Sequence, residues 1–241
     1  MADTLVILNP SAGGGRAGVV WSQIEPVLWE TLGDLVVAVT HHPEDVARHL
    51  KEARDVGLTR VVAIGGDGTN HAIVNAIQRL ADADPVGPRI TYGQLPIGTG
   101  QDFARMLGIP RDPVAAVEWL ARAQPRAVDL GCLERGEVGK RYFLNIASVG
   151  IGGEVDRRVN AIHRRRPWTF KLATLKSFLT YQPRHMKVYT DGDEWYNDRA
   201  WAVVIANGQN FGHGMAIAPD ARIDDGLFDV ILIEDASRMN V

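Results

Sequence analysis

In the first half of the chain, short continuous apolar runs alternate with stretches in which apolar residues recur every three or four positions. The continuous runs predict strands at residues 4–8, 35–40, 60–64 and 94–97. The helical spacing predicts helices near residues 16–32, 43–53, 72–80 and 112–123. Pro26 should kink or divide the first of these helices. Strands without polar alternation are buried on both faces, so the pattern indicates an α/β domain over residues 1–126 with a helix-covered parallel sheet.

The pattern changes near residue 128. Strand candidates separated by Gly, Asp and Asn turn signals follow at residues 141–149, 184–190, 200–206 and 227–233. Only the basic stretch 154–182 has a helical pattern in this half. We therefore expect a second, mainly antiparallel β domain over residues 127–241.

Composition and charge narrow the function classes. The chain is 46% hydrophobic and 23% charged, as in ordinary folded proteins, and its net charge of -3 argues against a nucleic-acid partner. The single cysteine, Cys132, can form neither an internal disulfide nor a Cys-rich zinc site, which suits a reducing compartment. No apolar stretch approaches the roughly 20 residues that span a bilayer. These features predict a cytoplasmic protein.

The charge is unevenly distributed. Residues 157–187, the basic segment, contain nine Lys or Arg and no Asp or Glu, whereas the other residues carry all 29 acidic side chains. Aromatic and aliphatic residues interleave with these cations. Such a segment can dock on anionic lipid headgroups and make the protein a peripheral membrane protein. It can equally be a core helix with solvated arginines on its outer face.

Two glycine-containing loops follow neighbouring predicted strands. In GGDGT at residues 65–69, adjacent glycines allow backbone N–H groups to point at phosphate oxygens, and Asp67 would help to organise Mg²⁺. In GTGQDFAR at residues 98–105, Thr99 can contact a nucleotide, and Asp102 can hold a metal-bound water or cap a helix. Open α/β sheets bind ligands at the carboxyl edge where both loops lie. Plain strand-to-helix turns are the alternative.

A further glycine cluster follows the first predicted strand. Residues 13–18 match G-x-G-x-x-G, but four residues separate the match from the strand, and the second predicted strand ends in Thr40 and His41 rather than in the Asp or Glu of a dinucleotide fingerprint. The match therefore does not indicate a dinucleotide fold, and the chain contains no Walker-type phosphate loop.

Five motifs occur in one order: NPSAGGGR, GGDGTNHAIVNAI, PIGTGQDFARMLGIP, VDLG and APDARIDDGLFDV. Together they resemble the diacylglycerol kinase catalytic-domain family, specifically the soluble bacterial lipid kinases related to diacylglycerol and sphingosine kinases. The resemblance implies a three-layer α/β nucleotide domain like those of phosphofructokinase and NAD kinase, followed by a β-sandwich domain. It also implies ATP- and Mg²⁺-dependent transfer of the γ-phosphate to a lipid hydroxyl such as that of diacylglycerol. Two departures are Gln101, where the family has Asn, and GHG at 212–214, where it has GGG.

The resemblance also assigns roles to individual positions. The implied ATP-contacting residues are Asn9, Thr40, Gly65, Gly66, Asp67, Gly68, Thr69, Asn70, His71 and Thr99. The acidic network that holds the catalytic magnesium through water would be Asp67, Asp102 and Asp129, and the basic residues needed for activity would be Arg16 and Arg105. A structural metal site would use the Asp225 side chain and the backbone oxygens of Arg222 and Leu227.

Two other functions remain open. An NAD kinase-like enzyme would share GGDGT, but the Asn-Glu pair expected soon after that loop is replaced by Asn70-His71 and Asn75-Ala76. A non-catalytic nucleotide- or lipid-binding module would share the fold without the chemistry.

The resembling family places its general base in a late D-G-E turn, and no such turn occurs after the APDARIDDG motif. The similar string at residues 191–194 has the features of a hairpin turn. We therefore expect the chain to be truncated at its C-terminus, with the base on residues beyond 241. An edge strand of the second domain could pair in a homodimer.

Overall fold

The structure is a computed structural model that describes residues 3–136, 139–162, 169–212 and 214–235, leaving aside the side chains of residues 160 and 169–171.

The N-terminal part contains one parallel sheet. Its strands are β1 (Thr4–Leu8), β2 (Leu35–Val39), β3 (Arg60–Gly65) and β4 (Thr91–Pro96), in the spatial order β2-β1-β3-β4. In the register, Leu8 lies beside both Val39 and Ile64. The carboxyl ends of all four strands therefore meet at one edge of the sheet.

Helices cover both faces of this sheet. The helices are α1 (Arg16–Leu32), α2 (Pro43–Asp55), α3 (Asp67–Ala83), the short α4 (Asp102–Met106) and α5 (Pro113–Arg122). In β1, Val6 and Leu8 belong to the core shared with α1 and α5, whereas Leu5 and Ile7 belong to the core shared with α2 and α3. The predicted three-layer α/β arrangement is confirmed.

Two N-terminal helices differ from the prediction. Helix α1 runs through Pro26 without being divided, because Pro26 is on the exposed side, where water can satisfy the carbonyl that loses its donor. Helix α3 begins five residues earlier than predicted, inside GGDGT, with extended Gly66 before it and the Asn70 N–H donating to the Gly66 carbonyl at 3.0 Å. Its first turn is polar, so apolar periodicity could not detect it.

The second part of the chain is mainly antiparallel β structure. Strand β9 (Asp193–Ala206) pairs antiparallel with β7 (Ile146–Gly150), β8 (Arg184–Thr190) and β12 (Asp229–Glu234). Two smaller pairs are β5 (Gly131–Glu134) with β6 (Lys140–Phe143) and β10 (Asn210–Phe211) with β11 (Met215–Ala216). Residues 191–194 form the predicted hairpin turn, with positive φ at Asp191 and Gly192.

Two predicted elements of this part are divided. The strand expected at 141–149 separates into β6 and β7 at Asn145, whose carbonyl accepts hydrogen bonds from the N–H groups of Asn207 and Gly208. The helical stretch expected at 154–182 consists of α6 (Ile151–Asn160) and α7 (Thr169–Thr180), and residues 163–168 lie outside the described ranges. Among the described residues, no helix is long and apolar enough to cross a membrane.

Candidate functional site

Three loops meet at the carboxyl edge of the parallel sheet, one each after β1, β3 and β4. A Cβ atom added to Gly98 would lie 2.5 Å from the Cα of Gly66, so the second and third loops touch backbone to backbone. Gly13 in the first loop has a φ of +63°, and a Cβ there would collide with the Ile97 carbonyl oxygen. Only glycine permits these approaches. At Gly68, a Cβ would meet no atom within 4 Å, so the edge beside Asp67 is open.

Asn9 connects the first loop to helix α3. Its side-chain amide donates to Thr69 Oγ1 at 3.1 Å, and its Oδ1 accepts from the Ser11 N–H at 3.1 Å. The Asn9 N–H donates to the Ile64 carbonyl at 3.0 Å. Thr69 itself is buried and lies directly against Gly65, where a Cβ would collide with the threonine side chain. These contacts fix the position of the first turn of α3.

Thr40 follows β2 and is 3% exposed. Its N–H and its hydroxyl both donate to the Leu8 carbonyl, at 2.8 and 3.3 Å. The described contacts of Thr40 therefore hold the end of β2 against β1, and its contact with ATP stays a prediction.

Asp67 joins the second and third loops. It is the first residue of α3, it is exposed, and its Oδ2 accepts from the Gln101 N–H at 3.3 Å. The helix dipole favours a carboxylate at this position. Gly100 lies so close to Asp67 Oδ2 that a side chain there would collide with it, and Thr99 is exposed beside it.

Gln101 organises the third loop. It adopts a left-handed conformation with a φ of 60°, and its amide Nε2 donates to the carbonyls of Pro96 at 2.5 Å and Gly98 at 2.6 Å. The departure from the family's Asn is thus accommodated, because the longer amide reaches back to the end of β4.

Asp102 and Arg105 form an ion pair at the start of α4. Asp102 is 7% exposed, and its Oδ1 lies 2.8 Å from Arg105 Nη1. The same guanidinium lies against Gly214 of the second part, where a Cβ would collide with it. Arg105 therefore contacts both parts of the chain. Arg16, the other predicted basic residue, is exposed at the first position of α1.

A polar network lies beneath α3, and sequence reasoning missed most of it. The Asn70 Nδ2 donates to Gln94 Oε1 at 2.5 Å, and the Tyr92 hydroxyl donates to the same oxygen at 3.2 Å. Burial, together with the charge of Asp67, raises the pKa of Tyr92 well above its ordinary value, so the phenol stays neutral. Gln94 is a polar residue within the strand predicted at residues 94–97, which was the one available signal. Tyr92 lies outside that predicted strand.

A second network joins α3 to strand β6. Asn75 is 4% exposed, its Nδ2 donates to the Tyr142 carbonyl at 2.9 Å, and its Oδ1 accepts from the Tyr142 N–H at 2.9 Å. The Tyr142 hydroxyl donates to Asp82 Oδ2 at 2.7 Å, which raises the pKa of Tyr142 to about 12. His71 lies one turn before Asn75, and burial with nearby Arg141 lowers its pKa. His71 is therefore neutral at pH 7.

Asp129 lies with the loop that precedes β12. Its Oδ2 accepts from the Gly226 N–H at 2.7 Å, and its own N–H donates to the Ile223 carbonyl at 2.6 Å. Buried Asn207 donates to the Asp129 carbonyl at 3.0 Å. The structure thus brings Asp129 together with the loop predicted to hold a structural metal.

Within that loop, Asp225 Oδ1 accepts from the Leu227 N–H at 3.1 Å, and Arg222 Nε lies 3.8 Å from Asp224 Oδ1. Leu227 is 67% exposed.

The described residues contain no cluster of three or more His, Cys, Asp or Glu side chains that could hold a metal ion. Mg²⁺ keeps several waters and is usually bound by one or two carboxylates plus substrate phosphates. Asp67 offers such a carboxylate at the open edge of the loops. The Asp225 carboxylate and the neighbouring backbone carbonyls are the oxygen donors that hard cations prefer.

The fold and these loops define a class of protein: an α/β domain with three glycine-containing loops at its carboxyl edge, followed by an antiparallel β part. Residues 3–133 match the model of the diacylglycerol kinase catalytic domain, and residues 145–241 match that of the "YegS C-terminal NAD kinase beta sandwich-like domain". The chain belongs to the diacylglycerol kinase catalytic-domain family of lipid kinases, and the predicted fold class is confirmed. The boundary predicted at residue 126 stays a prediction.

Relatives and solved structures agree with this assignment. The chain is 34% identical over 236 residues to a "Probable lipid kinase YegS-like" protein of Chromohalobacter salexigens, a match covering 96% of this chain and 71% of that protein. A protein of the same name from Pseudomonas fluorescens is 34% identical over 202 residues, with 83% of this chain and 63% of the relative covered. The chain thus spans about two thirds of the length of these relatives.

A crystal structure described as a diacylglycerol kinase from Bacillus anthracis superposes with a TM-score of 0.73 at 24% identity, covering 96% of this chain and 73% of that one. At this identity, the likeness shows the fold.

Proposed function

We propose that this chain is the nucleotide- and lipid-binding part of an ATP- and Mg²⁺-dependent kinase that transfers the γ-phosphate to a lipid hydroxyl, such as that of diacylglycerol. The observation that carries the proposal is the meeting of three glycine loops at the carboxyl edge of the sheet, with the Asp67 carboxylate beside open space. Phosphoryl transfer depends mainly on positioning and on neutralising phosphate charge, and these loops supply both.

In this proposal, the backbone N–H groups of residues 65–69 and the N-terminus of α3 bind the phosphates. The other proposed nucleotide contacts are Asn9, Thr40, Asn70, His71 and Thr99. Arg16 and Arg105 neutralise phosphate charge as it shifts during transfer.

Asp67, Asp102 and Asp129 would hold the magnesium through water. When bound, Mg²⁺ would neutralise charge on the β- and γ-phosphates. We assign the structural metal to the 222–227 loop, with the Asp225 carboxylate and the carbonyls of Arg222 and Leu227 as donors.

The NAD kinase alternative is less well supported by the geometry. An NAD kinase-like enzyme would use side chains soon after GGDGT to bind the dinucleotide, and Asn75 is one of the asparagines there. Both polar atoms of the Asn75 side chain are hydrogen-bonded to the Tyr142 backbone. Its amide is therefore already occupied in holding β6.

The experiment is an assay of the full-length protein, including the residues expected beyond 241, with radiolabelled ATP and Mg²⁺ against diacylglycerol, phosphatidylglycerol, sphingoid bases, polyprenols and NAD. The matched control is Asp67→Asn, which keeps the size of the side chain and removes its charge. We expect a labelled lipid phosphate with the full-length wild-type protein and almost none with the control. Labelled NADP would favour the NAD kinase alternative, and ATP binding without transfer to any acceptor would favour a non-catalytic module.

A further inference from the structure

Helix α7 packs with its small residues and exposes its large apolar ones. Ala173 and Ser177, one turn apart, are 4% and 0% exposed, whereas Leu175 and Leu179 are 58% and 76% exposed. Leu172 lies on the same outer face and is 39% exposed. A helix at the surface of a folded domain ordinarily does the opposite, with its apolar stripe toward the core.

The orientation of α7 is fixed by specific contacts. Arg158 of α6 donates to Thr180 Oγ1 at 2.7 Å and also pairs with Glu154 at 2.6 Å. The Phe178 ring lies 5.7 Å from the Trp201 ring of β9. These contacts hold the C-terminal turn of α7 against α6 and the sheet, and the exposed leucines lie on the side facing away from the domain.

The charge around this face is basic. No acidic residue lies in the basic segment that contains α7, and within the described ranges Lys176 and Arg184 form no ion pair. Lys176 lies beside Leu172 and Leu179 on the outer face of the helix, by helical spacing. Arg184 follows α7 and lines a shallow cleft of about 410 Å³ together with Tyr181, Arg158 and Glu154, the last two of which form an ion pair.

We infer that α7 is the membrane-docking element of this protein: Leu172, Leu175 and Leu179 enter the surface of an anionic bilayer, and Lys176 and Arg184 bind its headgroups. The inference rests on the proposed lipid kinase function, because a substrate with acyl chains resides in a membrane. The apolar residues suit the acyl-chain region of such a surface, and the cations beside them suit its anionic headgroups. Two copies of this chain meeting face to face would instead bring like charges together.

The test is flotation of the 241-residue chain with vesicles of phosphatidylcholine alone and of phosphatidylcholine with phosphatidylglycerol. The variants are the doubles Leu175→Ser/Leu179→Ser and Lys176→Gln/Arg184→Gln. The matched control is Val19→Ser/Val56→Ser, which removes apolar side chains of 69% and 75% exposure from the N-terminal part. All sites are on the surface, so thermal unfolding should verify that each variant is folded.

We expect the wild-type chain and the valine control to bind anionic vesicles equally, and the leucine double to bind about tenfold more weakly or worse. The Lys/Arg double should lose the preference for anionic vesicles. Equal binding of the wild-type chain and the leucine double would overturn the inference, as would the absence of binding to either vesicle. A leucine double that converts a dimer into a monomer without changing flotation would overturn it in favour of a second copy. Flotation requires no phosphate transfer, so vesicle binding by this chain together with a full-length protein that phosphorylates nothing would contradict only the proposed function.

Discussion

Asp67 and Asp102 are both aspartates at the first position of a helix, but their surroundings differ. Asp67 is exposed and accepts a hydrogen bond from the Gln101 N–H, whereas Asp102 is 7% exposed and ion-paired with Arg105. A change at Asp102 would leave the Arg105 charge without its partner beside the second part of the chain. Asp67 is therefore the position at which chemistry and stability can be separated.

We expect Asp67→Ala to lower the rate of phosphate transfer by about a hundredfold or more while leaving the fold intact. The exposed side chain contributes little packing, so the free energy of unfolding should change by about 0.5 kcal/mol or less. Steady-state kinetics and urea unfolding on the same preparation would measure both quantities. Near-normal turnover in a folded variant would contradict the proposed role of Asp67.

At the scale of elements, helix α3 links the phosphate loop to the second part of the chain. Its N-terminus belongs to GGDGT, and two turns later Asn75 binds the backbone of Tyr142 as a neighbouring strand would. The helix is rigid, so the Asn75 side chain sets the position of β6 relative to the GGDGT loop. It does so more than any other polar contact of α3 described above.

We expect Asn75→Ala to destabilise the protein by about 2 kcal/mol, because the part-buried N–H and carbonyl of Tyr142 lose their partner. Urea unfolding would give the free energy, and hydrogen exchange at the Tyr142 amide should speed up. The control is Asn197→Ala, an exposed asparagine whose amide donates to Glu194. If both variants unfold at the same urea concentration, the Asn75 contact does not hold the two parts together.

Helix α6 contains a carboxylate, that of Glu154, with an acid-sensitive stabilising effect. Hydrogen bonds from Arg157 and Arg158 lower the pKa of Glu154 to about 2, from 4.5 for an unperturbed glutamate. A lowered pKa stabilises the folded state above the unfolded value, and this contribution is lost as the pH falls through the folded value. We expect the wild-type chain to lose stability between about pH 4.5 and 2 more steeply than Glu154→Gln. Parallel slopes in thermal unfolding over this range would contradict the assignment.

At the scale of the whole molecule, the two parts meet around the proposed nucleotide site. Arg105 of the first part lies against Gly214 of the second, and Asn75 holds β6. A nucleotide bound at the three loops should therefore stabilise the entire chain against unfolding.

We expect ATP with Mg²⁺ to raise the melting temperature, since a ligand at about 100 times its dissociation constant stabilises the native state by about 2.7 kcal/mol. Removing the metal with EDTA should reduce this shift, because the phosphate charges would then lack their counter-ion. Differential scanning fluorimetry with ATP, with ATP and Mg²⁺, and with Mg²⁺ alone would measure the effect. An equal shift with and without EDTA would argue against a magnesium-dependent site.

Much of the fold was predictable because the signals for its strands and loops lie within short stretches of sequence. Continuous apolar runs such as residues 4–8 must be buried on both faces, and glycines at the ends of strands mark the loops. The start of α3 was missed because its first turn is polar, and the break at Asn145 was missed because it depends on hydrogen bonds to Asn207 and Gly208.

The sequence alone therefore determined the order of the elements, the buried strands, the three glycine loops and the excess of positive charge in the basic segment. Tertiary structure alone decided which backbone groups these side chains bind: Asn75 binds Tyr142, 67 positions away, and Asp129 binds Gly226, 97 positions away. It also decided that α7 buries Ala173 and exposes Leu175. The physical reason is that periodicity reports how apolar a helix face is, whereas the partner of that face is set by chain segments far away in sequence.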